Sequence, residues 1–319
     1  MSLDRLDIRR RYSARFKNEI QPRSLLNCLS VLGLHMGFAG AVIALSIAVW
    51  QINLLLGALF FPIAGILVAT RYRALANILH ECTHNCFAGN FAANNVFARL
   101  ICILLFYSLR GYKEHHSTHH AFTGDYQRDL EFGPIKNYEL HKDLNRDSLT
   151  RIVGRLIRLQ HLGHYIGGVA LNLKEPVVWI GARVAYLAIL AGVVIYWGFF
   201  SIPTFIVTGY VLLPVFVFVP TITYIMDVMD HGGLLGNSNV AERARNYTTD
   251  SVILNFLFFP HYDAYHLVHH LFPNLPTRLL PHCHRVLLDS EPEYAALPHS
   301  LEQLRATIKG PGQRAQADT

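Results

Sequence analysis

The chain has 319 residues, of which 16% are charged and 52% apolar, with a formal net charge of +6. An ordinary soluble domain carries about 25% charged residues, so charge this sparse argues against one and turns the basic excess toward a membrane surface, not nucleic acid. Cys28, Cys82, Cys86, Cys102 and Cys283 form no CxxC pair and read as reduced thiols, not a disulfide framework.

The first segment, residues 1–24, is basic through Arg5, Arg9, Arg10, Arg11, Arg15, Lys17 and Arg23. No apolar stretch with a cleavage site follows closely, so a cleaved signal peptide is not expected, and the positive-inside rule keeps the segment in the cytoplasm. Between Arg23 and Arg71, 47 residues carry no Asp, Glu, Lys or Arg. One bilayer crossing needs roughly 20 residues, so this gap predicts a hairpin of spans at about 29–49 and 52–70, turning near Trp50 to Asn53. A second charge-free gap, 43 residues from Val184 to Met226, predicts spans at about 180–198 and 203–226, turning near Phe199 to Pro203.

The predicted fold is therefore an all-α integral membrane protein with four transmembrane helices in two hairpins. Residues 71–178 and 227–290 form a cytoplasmic helical cap within a domain covering 25–290. Both termini are expected in the cytoplasm, in the plasma or inner membrane if the source is bacterial. Val96–Leu109 and Ser251–Pro260 are too short to cross and read as interfacial or re-entrant helices. Residues 291–319 read as a polar tail, disordered over the closing KGPGQRAQADT.

Three histidine clusters lie outside the predicted spans. HECTH supplies His80 and His84. HHSTHH supplies His116, His119 and His120, and YHLVHH supplies His266, His269 and His270. Spacings of three and four put each set on one helix face. An even number of crossings puts all three on one side of the membrane. HECTH alone matches the zinc-protease pattern, but one zinc takes about four ligands, and eight imidazoles suit two metal ions. Iron accepts imidazole and has the redox chemistry that zinc lacks. His35, inside a span, reads as a buried polar residue with a hydrogen-bond partner. His161 and His164 read as solvated, and His141, His282, His284 and His299 show no partner pattern.

HxxxH, HxxHH and HxxHH in this order, divided by a hairpin, resemble the membrane fatty acid desaturase and hydroxylase superfamily over roughly residues 25–290. Asn246 to Pro276 resembles its bacterial acyl-lipid desaturase branch most closely. The resemblance implies a di-iron centre, two iron ions, with O2 as co-substrate and two electrons per turnover. Stearoyl-CoA desaturases, a distant branch, place a ninth histidine after the last span, with an asparagine four residues earlier holding a metal-bound water. Here DVMDHGG makes His231 that ligand and puts Asp227 at the asparagine position, as a metal or water ligand, with Asp230 directly before His231. Metal-bound imidazoles commonly donate their other N–H to a carboxylate, a role open to Glu81, Asp125, Asp129 and Asp263.

The substrate implied is a fatty acyl lipid or acyl thioester drawn from the bilayer. Phe87, Phe122, Phe256, Phe258 and Phe259 are candidates for its lining, and Lys113, Arg128 and Arg243 for an anionic head group. Electrons must come from a separate ferredoxin, rubredoxin or cytochrome, because no HPGG haem motif or Fe–S cysteine spacing is present. A lipid hydroxylase or carotenoid oxygenase would use the same centre. An intramembrane zinc protease or a non-catalytic metal-binding membrane protein are the remaining readings.

Overall fold

The computed structural model describes residues 3–167 and 173–309; the expected disordered stretch after Lys309 lies outside them. In chain order the principal helices are α1 (Arg5–Asn18), α2 (Leu25–Ile52), α3 (Leu54–Thr83), α4 (Phe91–Leu104), α5 (Leu109–Phe122), α6 (Arg146–Ile157), α7 (Val177–Trp197), α8 (Ile202–His231), α9 (Val252–Leu257), α10 (His266–Leu271), α11 (Leu280–Ser290) and α12 (Leu301–Lys309). Among the described residues the only β pairing is an isolated bridge between Thr248 and Ser300. The chain forms two compact units, an apolar one of residues 22–112 and 162–223 and a polar one of residues 1–21, 113–161 and 224–319.

In the apolar unit, α2, α3, α7 and the greater part of α8 are long and apolar enough to cross a bilayer. Leu25, Leu55, Leu59, Val177, Ile195 and Phe200 are each more than half exposed. Apolar surface on that scale suits lipid, where a helix already satisfies its own backbone polar groups. The turn between α2 and α3 falls at Asn53, inside the expected Trp50–Asn53. Its extended backbone ends α2, and its side chain accepts from Leu56 N at 3.0 Å to start α3. The turn needs a glycine beside it: a Cβ on Gly57 would stand 2.6 Å from the Trp50 Cα.

Helix α3 outruns its predicted span by thirteen residues. Hydropathy stops at Arg71, but nothing in Arg71–Thr83 breaks the hydrogen-bond ladder, and that extension carries the first histidine. His35 is buried, as expected, and its Nδ1 accepts from the Arg71 guanidinium at 3.2 Å, pairing α2 with α3. Tyr72 donates to the Tyr210 carbonyl at 3.0 Å, and the Tyr210 hydroxyl meets Ser46, so α8 is tied to both. The stretch Val96–Leu109, expected to be interfacial or re-entrant, falls on α4 and the break before α5, two helices bent by 107°. Glu175 fixes that bend, bonding Arg99 at 2.6 Å, the Arg110 N–H at 2.9 Å and Ser108 at 3.2 Å.

The polar unit is built on a core of Ile8 and Phe16 from α1, Leu267, Val268 and Leu271 from α10, Cys283 and Leu287 from α11, and Tyr294. Residues 292–309 are not a plain polar tail. Polar composition hides four buried side chains there and at their edge: Glu291, held by both Arg11 guanidinium nitrogens at 2.6 and 2.8 Å, Tyr294, His299 and Leu304. His161 is also buried, not solvated, and lies flat against the Tyr224 ring at 5.5 Å. Its charged neighbours in sequence mislead, because the ring points inward while they point out.

Candidate metal centre

The first histidine pair belongs to the apolar unit. His80 lies in the last turn of α3 and His84 is its C-cap, with ring centroids 5.1 Å apart. Asn85 follows at φ 59°, and the Cys86 and Asn85 amides bond back to the Glu81 and Cys82 carbonyls, each at 3.0 Å. This is a Schellman ending, for which asparagine is one of the few tolerant residues. The buried Asn94 then accepts from the Phe87 and Ala88 amides at 3.1 and 2.9 Å, which pins the loop leaving His84. Glu81 is buried and lies 3.8 Å from Arg23.

Seven further histidines meet within the polar unit. From α5 come His116, His119 and His120, from the end of α8 His231, and from α10 His266, His269 and His270. His120 Nε2 stands 2.9 Å from His116 Nε2 and 3.0 Å from His269 Nε2. Separately, His266 Nε2 stands 2.8 Å from His231 Nε2 and 3.0 Å from His270 Nε2, and the ligand atoms of His119, His231, His266 and His270 all lie within 4.8 Å of one another.

The Nδ1 sides of four of these rings face acceptors. His119 Nδ1 donates to Asp129 at 3.1 Å, and His231 Nδ1 donates to the Arg243 carbonyl at 2.7 Å. His116 Nδ1 lies 3.6 Å from Glu131, and His266 Nδ1 3.6 Å from Asp230. A neutral imidazole holding its proton on Nδ1 presents a bare lone pair at Nε2. His119 and His231 therefore aim lone pairs into the same small space, an arrangement that repels unless a cation sits between them. Nitrogens bound to one metal at 2.0–2.1 Å lie roughly 2.8–3.4 Å apart, from octahedral to tetrahedral geometry. The observed separations of 2.8–3.0 Å fit such a shared ion.

Charge supports the neutral form at two of these rings. Burial pushes the His266 and His270 imidazoles well below their usual range, aided by neighbouring histidines, which keeps both in the neutral form that binds metal. For His119 burial acts in the same direction, but Glu131 and Asp129 outweigh it and raise the ring. Burial would raise the Glu131 carboxyl; His119 and His116 outweigh it and hold Glu131 well below the usual carboxylate range.

Asp129 is the best-anchored of the acids. Its Oδ1 accepts from the Glu131 and Phe132 amides at 3.0 and 3.1 Å, and Oδ2 takes His119 and the Gly124 amide. Gly124 makes this loop possible: its φ is +80°, and a Cβ would approach the Leu235 carbonyl to 2.9 Å. Asp125, expected in the same role, instead pairs with Arg128 at 2.6 Å near the surface. Asp227 is half-buried one turn before His231, but its carboxylate is outside the 4.8 Å group. Asp263 is half-buried in the short turn ahead of α10.

Arg243 is occupied by the protein itself, donating to Asn237 O and Thr123 O, each at 2.7 Å, which leaves no simple head-group role for it. Phe87 is buried against Phe97 and the Arg23 guanidinium, and Phe259 against Tyr247. Three features escape the sequence motifs: Glu131, the Arg243 carbonyl, and the packing of Phe132 between His119 and His231 at 4.7 and 5.1 Å. The EFG run that holds Glu131 and Phe132 has no motif spacing, though its acid follows Asp129 by two residues.

Fold and site together define an all-α membrane protein with a clustered-histidine centre. The sequence pattern of fatty acid desaturases matches residues 56–301, well over half the chain. The chain belongs to the fatty acid desaturase family, a family of oxidoreductase enzymes. It is also 29% identical over 97 residues to a protein of Nostoc sp. (strain 36) named sn-1 acyl-lipid omega-3 desaturase (ferredoxin). That stretch takes in 30% of this chain and 26% of the relative, so the likeness spans about a quarter of the relative's length.

Proposed function

We propose that this protein is an O2-dependent fatty acyl desaturase working through two iron ions. His119, His231, His266 and His270 would hold one. His116, His120 and His269 would belong to the other; His80 and His84 are proposed as iron ligands on their HxxxH spacing alone. The observation that carries this reading is the direction shared by His116, His119, His231 and His266, whose Nδ1 atoms face carboxylates or a backbone carbonyl, beside the close approach of Nε2 atoms from three helices. Once bound, the irons would supply, with O2 and two external electrons, the oxidising power to take two hydrogens from neighbouring unactivated methylenes, leaving a double bond and water.

The protein's own part is positional. Asp129 and the Arg243 carbonyl keep the protons of His119 and His231 on Nδ1, so that Nε2 stays a ligand. Burial of His269 and His270 keeps bulk water from the same nitrogens. The substrate proposed is an acyl chain carried by a membrane lipid or thioester, and the electron donor a small external carrier. The name of the Nostoc relative favours a ferredoxin in that role. We place both termini in the cytoplasm, with the metal centre on that side.

Lipid analysis of a host expressing the gene with ferredoxin and its reductase tests this reading. A new double bond in the acyl pool, absent without oxygen and lost in His270→Ala, is expected. Hydroxylated lipid or altered carotenoid in place of a new double bond would overturn it.

A further inference from the structure

Helix α10 has six residues and carries three proposed ligands. Isolated helices shorter than about 12–15 residues are marginal in water, and Tyr265, which precedes α10, provides no side-chain cap. The helix must be held from outside. At its start, the buried Asn246 Oδ1 accepts from the Leu267 amide at 3.0 Å. At its end, Arg9 of α1 reaches in: Nε donates to the Leu271 carbonyl at 2.6 Å and a terminal nitrogen to the His270 carbonyl at 3.0 Å. Arg5, one turn earlier, donates to the His120 carbonyl at 3.3 Å. Ile8 and Phe16 of α1 share the apolar core with Leu267, Val268 and Leu271, and Phe16 meets the Phe272 ring edge-on at 5.1 Å.

We infer that Arg9 is a positioning residue for the metal centre, its forked guanidinium fixing the last turn of α10 and so the rings of His266, His269 and His270. This rests on reading those histidines as ligands. The first 55 residues lie outside the family match, so α1 is a part of the site that the histidine motifs do not reveal. Two carbonyls at successive residues suit a planar fork with parallel N–H donors. An ammonium keeps the charge but cannot reproduce that pair. Arg9→Lys therefore separates geometry from charge, and Arg10→Gln, an exposed neighbour on the same helix, serves as control.

The test uses the full-length protein in detergent. Hydrogen exchange is followed at amides 269–272 in the metal-free form, and ferrous iron binding is titrated on the same samples. Arg9→Gln and Arg9→Lys should each speed exchange there at least tenfold and weaken iron binding at least tenfold, while Arg10→Gln changes neither. Unchanged exchange and iron affinity in Arg9→Gln, or full retention of both in Arg9→Lys, would overturn the inference. A wild-type protein that takes up no iron strikes the ligand reading instead, and the exchange rates alone then decide whether Arg9 holds this helix.

Discussion

Asp129 and His119 meet at 3.1 Å, carboxylate oxygen to Nδ1, with both side chains buried. The carboxylate is immobilised by three backbone amides, from Gly124, Glu131 and Phe132. The imidazole therefore has one tautomer and one orientation before any metal arrives. Removing such an outer partner costs about 10–100-fold in metal affinity. Asp129→Asn should lose iron affinity by that factor in an iron titration. Asp125→Asn should not, because Asp125 faces Arg128.

Gly124 sets the geometry that lets Asp129 reach back. An alanine there would hold a left-handed backbone at a cost of roughly 1–2 kcal/mol and also press on the Leu235 carbonyl. Gly124→Ala should lower the thermal unfolding midpoint and reduce iron content together. An unchanged midpoint would mean that the loop has another way to close.

A buried network joins Asn246, His284, Tyr294 and His299. Tyr294 donates to His284 Nδ1 at 2.6 Å, and Asn246 donates to Tyr294 at 2.8 Å and to His299 Nδ1 at 3.0 Å. Burial, with His299 nearby, lowers the His284 imidazole to about 4. The unfolded chain, with an ordinary histidine near 6.5, takes up its proton first as the pH falls. Stability from this group is thus complete above about 6.5 and declines toward pH 4, by on the order of 3 kcal/mol at most. Denaturant unfolding across that window should show the slope, and His284→Gln should flatten it.

In the apolar unit, Gly57 lets the α2–α3 turn close against Trp50. A Cβ 2.6 Å from a backbone atom requires the chain to move. Gly57→Val should open the hairpin, seen as new protease cleavage near Asn53. Gly33→Val, where a Cβ would meet nothing within 4 Å, should leave it closed.

The apolar helices are legible in the sequence because a buried helix of a soluble protein rarely goes so long without charge. The histidine boxes are legible because their spacing repeats a helix face. The helix ends are not. α3 continues past Arg71 because charged residues are good helix formers, and hydropathy cannot see that. The outer partners divide by the same logic. Asp129 is within sight as an acid trailing the second box. Glu131, the Arg243 carbonyl and Arg9 depend on loops and on contacts between residues as many as 262 positions apart, which no spacing encodes. His161, His284 and His299 stay hidden because a buried histidine with a tyrosine or asparagine partner looks in sequence like any surface one.

The most direct measurement is the metal content of the protein purified without oxygen and reconstituted with ferrous iron. Two irons per chain are expected, falling in His231→Ala, with a spectrum of coupled, nitrogen-ligated iron. One zinc per chain, or iron that survives loss of both His231 and His266, would contradict the account.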